Sequence, residues 1–207
     1  VIEQPRALIV LEMLVLSDLL YYITHRLAHS VPVLWRLHAV HHSTEHLRWS
    51  SALRAHPAEA YTHLLHTLPL ALLGFPLDAL AILAPISLLY AMFIHSGLNI
   101  TWRPVSYVVN TPRFHGHHHA RDVQHGTVNY AGYFPLFDAL FGTYRLPDTA
   151  PKAYGIDDPN MPTTFLAQLA YPLRVRADTD ASVNSAGSAD LGDAAATTEP
   201  VHVHAHG

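Results

Sequence analysis

Histidines in this chain recur at spacings that suit metal binding. HRLAH at 25–29, HAVHH at 38–42 and HGHHH at 115–119 each hold histidines three or four residues apart. Residues at these spacings lie on one face of a helix, so each segment, if helical, presents several imidazoles together. Imidazole nitrogens are good ligands for iron, zinc and copper. Three such segments in one chain of 207 residues predict a site for more than one metal ion.

The order of histidines within these segments indicates how they divide. His41 and His42 are adjacent in HAVHH, and neighbours on a helix diverge by about 100° around its axis. We therefore expect them to face different metal ions. HGHHH ends on a similar pair, His118 and His119, which we expect to do the same from the opposite side. A helical register in that segment turns His117 away from the metal ions.

Two further histidines are candidates on weaker grounds. His95 and Asn99 in HSGLN form another pair four residues apart. His56 precedes Pro57, and the residue before a proline disfavours the helical conformation, so His56 marks a helix boundary. A role at the metal site, as a ligand or behind one, and ordinary packing remain alternatives for His56.

Composition indicates which elements must position these residues. Half of the residues are hydrophobic and only 14% are charged, well below the quarter or so that is usual in soluble domains. This balance favours a membrane protein. The absence of cysteine excludes disulfides and thiolate metal sites, and the formal net charge of −4 gives no sign of nucleic-acid binding.

Two apolar regions are long enough to enter a bilayer. Residues 7–23 form a 17-residue stretch that just suffices for a spanning helix. The second region, Leu64 to Ile94, would be about 46 Å long as one helix, which exceeds the roughly 30 Å bilayer core. We therefore predict a tilted or re-entrant hairpin that is broken near Gly74 and Pro76, with arms of about 14 and 18 residues.

A hairpin returns the chain to the membrane face that it left, so all the histidine segments share one face. Eleven of the twelve Lys and Arg residues, from Arg26 to Arg176, lie on that face, and the positive-inside rule makes it cytoplasmic. The chain begins with Val1 rather than Met, so we expect at least one more spanning helix upstream.

The sequence thus predicts an all-α integral membrane protein with two regions. Residues 1–176 comprise transmembrane helices and a helical hairpin capped by a cytosolic, histidine-rich helical di-metal domain. Residues 177–207 contain five acidic residues between 177 and 200 and no Lys, Arg or aromatic residue. We interpret this segment as a disordered, dispensable tail on the cytoplasmic side.

The ordered motifs resemble those of the fatty acid hydroxylase / sterol desaturase superfamily. HRLAH, HAVHH, ALRAHPAE, HSGLN, TPRFHGHHH and NYAGYFPLFDALFGTYR follow one another between about Asp18 and Arg145. Members of that family are integral membrane proteins that hold two iron ions with histidines and use O₂ to hydroxylate or desaturate lipids. The resemblance implies nine iron ligands: His25, His29, His38, His41, His42, His95, His115, His118 and His119.

The resemblance also implies cofactors and partners. Two iron ions, which zinc can replace in purified protein, would act with O₂ as co-substrate on a sterol, fatty acyl or related lipid from the bilayer. The sequence contains no flavin, nicotinamide or haem motif, so electrons must come from a separate donor of the cytochrome or ferredoxin type with its reductase.

Ligand histidines need acceptors for their second ring nitrogen, which fix the orientation of the ring. Asp18 is a candidate because it lies two helical turns before His25 on the same face. Asn99 stands where some members of the family have another histidine. The full set of candidates for this outer role is Asp18, His56, Glu59, Asn99, Asp122 and Asp138.

Two other function classes also fit a histidine-rich membrane protein. One is a zinc-dependent lipid hydrolase, although a catalytic zinc needs only three protein ligands. The other is a histidine-rich metal-binding protein such as a transporter or store, which would carry polar residues through its spans. Here the histidines gather at the ends of the apolar segments, which favours the oxygenase.

Overall fold

The computed structural model describes residues 4–100, 103–123 and 126–173. Their regular structure is helical, and the only strand-like pairing among them is an isolated bridge between Ala120 and Tyr154. The predicted tail, 177–207, lies outside the described residues. The all-α prediction is therefore confirmed for the part of the chain that the structure describes.

Helix α1, Arg6–Ser30, carries the first histidine segment on its last turns. It is 25 residues long, or about 37 Å, and so outreaches a bilayer core of about 30 Å. The predicted span ended at residue 23, but neither glycine nor proline occurs between residue 23 and Pro32, so the helix continues through HRLAH. Val31 is extended, as the residue before a proline should be. Pro32 then occupies the first position of α2, Pro32–His42.

The second apolar region is divided into two helices at the predicted break. Helix α3, Ala60–Leu72, has 13 residues and α4, Leu77–Ile94, has 18. The break between them contains Gly74 with a φ of 86°, a left-handed conformation that glycine adopts without steric cost. The arms thus match the predicted lengths of about 14 and 18 residues closely.

Within the described residues, two helices, α1 and α4, are long and apolar enough to cross a membrane, with mean hydropathies of 1.8 and 2.1. Helix α4 buries almost none of its residues against the rest of the protein, and Ile82 and Leu89 are about two-thirds exposed. Helix α3 is about 20 Å long, too short to span alone. The exposed apolar surface of α4 fits contact with lipid.

Shorter elements surround the histidine-bearing ends of these helices. They are the helices α5, Arg103–Ser106, α6, Pro112–His118, and α7, Leu136–Leu140, two 3-10 turns at Trp49–Leu53 and Pro57–Glu59, and a helical stretch at 165–173. Thr111 caps α6 by accepting the backbone N–H of Phe114 at 3.3 Å. Helix α6 packs on α4, while α1 packs on α2 and α3.

A small aromatic core joins α1 to the chain segment before α7. Tyr22 packs edge-on against Tyr130 at 5.9 Å between ring centroids and stacks on Phe141 at 5.2 Å. Ala131 and Phe137 complete the cluster. Burial of one large apolar side chain contributes about 1.5–3 kcal/mol, so this contact fixes segment 130–137 beside the last turns of α1.

Candidate metal centre

The nine histidines predicted as ligands form two groups of ring nitrogens. In each group the nitrogen atoms that could bind an ion lie within 4.8 Å of one another. The five-histidine group comprises His25, His29, His38, His42 and His118, and the four-histidine group comprises His41, His95, His115 and His119. All nine are buried except His29, which is half-buried.

Adjacent histidines divide between the groups. His42 belongs to the five-histidine group and its neighbour His41 to the four-histidine group, and His118 and His119 divide in the same way. The divergence of neighbouring side chains on α2 and at the end of α6 produces this arrangement. His117 is buried but belongs to neither group.

Most of the rings are oriented through Nδ1. Backbone carbonyls lie 2.7–2.9 Å from this atom in four of them: His25 at Tyr130, His41 at Arg54, His95 at Ala91 and His118 at Val128. A carbonyl oxygen can only accept, so Nδ1 must carry the hydrogen. The neutral ring then directs the bare lone pair of Nε2 into the group.

These lone pairs face one another at short distance. The Nε2 atoms of His25 and His38 are 3.1 Å apart, as are those of His41 and His95. Each of the four Nδ1 atoms donates to an oxygen, so neither pair has a hydrogen to share and the nitrogens repel. Two nitrogens bound at right angles to one ion, each at about 2.1 Å, lie about 3.0 Å apart. The spacing therefore fits a cation shared by each pair.

A proton is a poor substitute for that cation. Burial lowers the pKa of His38, His42, His115, His118 and His119 well below the ordinary value for histidine, and neighbouring histidines lower it further. Burial and His41 together lower the pKa of His95 to about 3. Near neutral pH these imidazoles are uncharged, which is the form that binds a metal ion.

Glu59 lies directly behind the five-histidine group. Its Oε1 accepts the Nδ1–H of His38 at 2.8 Å, and both side chains are about nine-tenths buried. Burial raises the pKa of the Glu59 carboxyl group, against the opposing influence of His41 and other histidines. A carboxylate at this position holds the imidazole and increases its strength as a ligand.

The remaining outer candidates lie elsewhere. Asn99 and Asp122 are exposed, and Asp122 has an electrostatic interaction with His117. His56 uses one ring nitrogen to accept the N–H of Ala58 and directs the other at the carbonyl of Leu169. Neither nitrogen of His56 therefore points into a histidine group.

Asp18 and Asp138 are fully buried but bond to the backbone rather than to a histidine. Asp18 accepts the N–H groups of Gly132, Tyr133 and Phe134 at 2.7–2.8 Å. Asp138 accepts those of Tyr130 and Ala131 at 2.7 and 2.9 Å, together with the Thr143 hydroxyl. Direct orientation of a ring by Asp18, the role suggested by its spacing from His25, is not the contact observed.

Sequence reasoning missed the backbone acceptors and two aromatic neighbours. Trp35 packs 5.1 Å from His29 and 5.6 Å from His42, and Tyr130 lies 5.3–5.7 Å from three rings of the five-histidine group. Residue types indicate side-chain acceptors, whereas every residue offers a backbone carbonyl. The position of Trp35 seven residues before His42, two helical turns, was a signal for its contact.

The fatty acid hydroxylase family model matches residues 10–143 of the chain. An alkylglycerol monooxygenase of Danio rerio is 37% identical over 142 residues, covering 69% of this chain and 31% of the relative. The ornithine lipid hydroxylase OlsE of Rhizobium tropici is 32% identical over 172 residues, covering 82% and 52%. A Delta(7)-sterol 5(6)-desaturase of Gibberella zeae is 33% identical over 139 residues, covering 65% and 37%.

The chain therefore spans between about a third and about half of the length of these relatives. The matched region contains all nine histidines of the two groups. No solved structure matches the chain.

Proposed function

Because the chain belongs to the fatty acid hydroxylase family, we propose that it is a membrane-bound oxygenase with two iron ions that oxidises a lipid. The reaction is hydroxylation or desaturation with O₂ and external electrons. The observation that carries the proposal is the facing of bare Nε2 atoms 3.1 Å apart in both histidine groups. The relatives named monooxygenase, hydroxylase and desaturase supply the reaction class.

In this proposal each histidine group holds one iron ion and all nine histidines are ligands. Bound iron supplies the O₂ chemistry that an unactivated C–H bond requires. The protein's own part is to hold the rings. Backbone carbonyls and Glu59 accept the Nδ1–H groups and fix which nitrogen faces the metal. The buried position of the groups excludes bulk water from them.

The set of ligands favours iron over zinc. A structural zinc site closes with four ligands and a catalytic one uses three with a water, whereas nine histidines gather here. Neutral imidazoles leave the charge of the ions uncancelled, which differs from the soluble di-iron bundles with glutamate ligands. A zinc-dependent hydrolase explains neither the number of ligands nor their division into two groups.

We place the substrate in the bilayer. Helix α1 spans the membrane and the re-entrant pair α3 and α4 dips into it, so the histidine groups lie at the membrane surface, on the cytoplasmic side by the distribution of Lys and Arg. Two relatives are named for an alkylglycerol and an ornithine lipid, and both names describe a lipid with a polar group. A polar lipid with a long alkyl or acyl chain is therefore the first substrate class to test.

The proposal includes a separate electron donor of the cytochrome or ferredoxin type. It also treats residues 1–176 as the catalytic membrane domain and 177–207 as a tail that the reaction does not need. The tail has no apolar segment able to bury a core.

Metal replacement tests this function. Membrane-extracted protein is stripped with a chelator, reloaded with Fe²⁺ or Zn²⁺, and incubated with O₂, a chemical reductant and either an alkylglycerol or an ornithine lipid. We expect oxidised lipid, measured by mass spectrometry, only from the iron-loaded protein, with at least a hundredfold difference. Ester or amide cleavage of the ornithine lipid by the zinc-loaded protein, without oxidised product, would instead identify a hydrolase.

A further inference from the structure

Five consecutive backbone N–H groups, from Tyr130 to Phe134, all donate to two buried carboxylates. Asp138 takes those of residues 130 and 131, and Asp18 takes those of residues 132, 133 and 134. Both carboxylates have no exposed surface. The five distances lie between 2.7 and 2.9 Å, as expected for charge-assisted hydrogen bonds.

The carbonyl groups of the same segment are also engaged. The side-chain amide of Asn110 donates to Ala131 and Gly132 at 2.7 and 3.1 Å, and its backbone N–H donates to the carbonyl of Tyr133 at 2.7 Å. Asn110 is fully buried. Segment 130–134 is therefore held through both its donors and its acceptors, although it has no regular secondary structure.

One face of α1 contacts this segment twice. Asp18 and His25 are seven residues apart, two turns along the same face. Asp18 accepts N–H groups from residues 132–134, and His25 donates its Nδ1–H to the carbonyl of Tyr130 at 2.8 Å. The position of that carbonyl, and thus the direction of the His25 ring, depends on where Asp18 holds the segment.

The approach of the segment to α1 is as close as a glycine permits. A Cβ atom on Gly132 would lie 3.0 Å from Oδ1 of Asp18 and 3.1 Å from the ring of Tyr21. Tyr21 in turn packs 5.1 Å from His25. The segment therefore packs closely against the face of α1 that carries both Asp18 and His25.

We propose that Asp18 is a positioning residue for the five-histidine group and acts through segment 130–134 on His25. The proposal rests on the metal centre proposed above. The effect is selective, because rings of the four-histidine group are anchored elsewhere. His41 donates to the carbonyl of Arg54 and His95 to that of Ala91, and neither carbonyl belongs to the segment.

The variant Asp18→Asn tests the proposal with little change of shape. The amide keeps one oxygen, but its NH₂ group faces backbone N–H donors, so at least one of the three hydrogen bonds is replaced by two opposed donors. Asp78→Asn is the matched control. Asp78 lies on α4, and its carboxylate accepts the backbone N–H of the next residue, Ala79.

The readout is the number and affinity of bound Co²⁺ ions in membrane-extracted, metal-free protein, measured by titration and metal analysis. Wild type and Asp78→Asn should bind two ions per chain. Asp18→Asn should retain one at wild-type affinity and bind the other about tenfold or more weakly, the range found when groups behind metal ligands are altered. Asp18→Glu, which restores the carboxylate, should recover part of the lost affinity.

Two ligand variants, each combined with Asp18→Asn, show which of the two metal sites Asp18→Asn weakens. His95→Ala removes a ligand of the four-histidine group, and adding Asp18→Asn to it should weaken the remaining ion. His29→Ala removes a ligand of the five-histidine group, and adding Asp18→Asn to it should leave the affinity of the ion in the four-histidine group unchanged. Equal weakening of both ions by Asp18→Asn, or no weakening at all, would overturn the positioning role. Failure of the wild type to bind two ions would instead reject the proposed metal centre.

Discussion

At the scale of residues, the ability of the two histidine groups to bind metal depends on the tautomer of each ring as well as on the distances between the rings. A carbonyl or carboxylate behind each anchored ring fixes the hydrogen on Nδ1. The Nε2 lone pairs must then converge, and burial keeps protons from neutralising them by lowering the pKa of His38, His42 and their neighbours. Without a cation, the converging lone pairs would repel one another.

The contrast between neighbouring histidines gives the first prediction at this scale. His41→Ala and His42→Ala should each reduce lipid oxidation at least a hundredfold and weaken one bound ion, because each removes a nitrogen from a different group. His117→Ala should keep both ions and most activity, since His117 lies outside both groups. The measurement is iron content and product formation for the three variants in one membrane preparation.

Each outcome of that comparison has a definite meaning. If His117→Ala loses as much metal as the other two variants, the inference that His117 lies outside the metal centre is contradicted. Wild-type activity in both His41→Ala and His42→Ala would remove these residues from the metal centre.

At the scale of elements, the helix ends and the loops between them carry the site. Helices α1, α2 and α4 deliver histidines on their last turns or just beyond, and α6 delivers the rest. These parts were predictable from sequence, because three- and four-residue spacing, Pro32 and the break at Gly74 determine them locally. The acceptor roles of the backbone carbonyls of Arg54, Val128 and Tyr130 were not predictable. Every residue offers a carbonyl, and only the packed fold decides which carbonyl a ring contacts.

Asp18 illustrates the same limit. Its spacing from His25 correctly placed both residues on one face of α1, but its partners lie more than 110 residues away in the chain. No local pattern links them. Segment 130–134 lacks helical or strand periodicity, so its course depends on the carboxylates and on Asn110.

The loop at Gly126 gives a prediction at the scale of elements. Its φ is 60°, and an added Cβ would lie 2.8 Å from the carbonyl oxygen of His118 and 2.9 Å from Cε1 of His29. Gly126→Ala should therefore cost about 1–2 kcal/mol in backbone strain and also displace rings of the five-histidine group. We expect a lower melting temperature together with weaker binding of one metal ion.

Gly142→Ala provides the matched control for that variant. Its φ is 76°, equally left-handed, but no atom lies within 4 Å of an added Cβ. Gly142→Ala should lower the melting temperature through the same backbone strain, while both metal ions bind with wild-type affinity. Equal metal affinities in the two variants would mean that Gly126 serves the backbone alone.

At the scale of the whole molecule, apolar helices and a polar, buried centre are joined in one chain. Helices α1 and α4 have the length and hydropathy to cross a bilayer, and α1 is long enough to carry His25 and His29 beyond it. The composition predicted this division, since half of the residues are hydrophobic while 18 are histidine. In the proposed function, the projection of α1 would bring the metal centre to the bilayer surface, within reach of a lipid chain.

The number of iron ions per chain tests the central claim most directly. The protein is produced with iron supplied, extracted in detergent without chelators, and analysed for metals by mass spectrometry against protein quantified by amino-acid analysis. Two histidine groups with converging lone pairs predict two iron ions per chain. A value of one or less at full occupancy, or zinc in place of iron when both metals are supplied, would contradict the account.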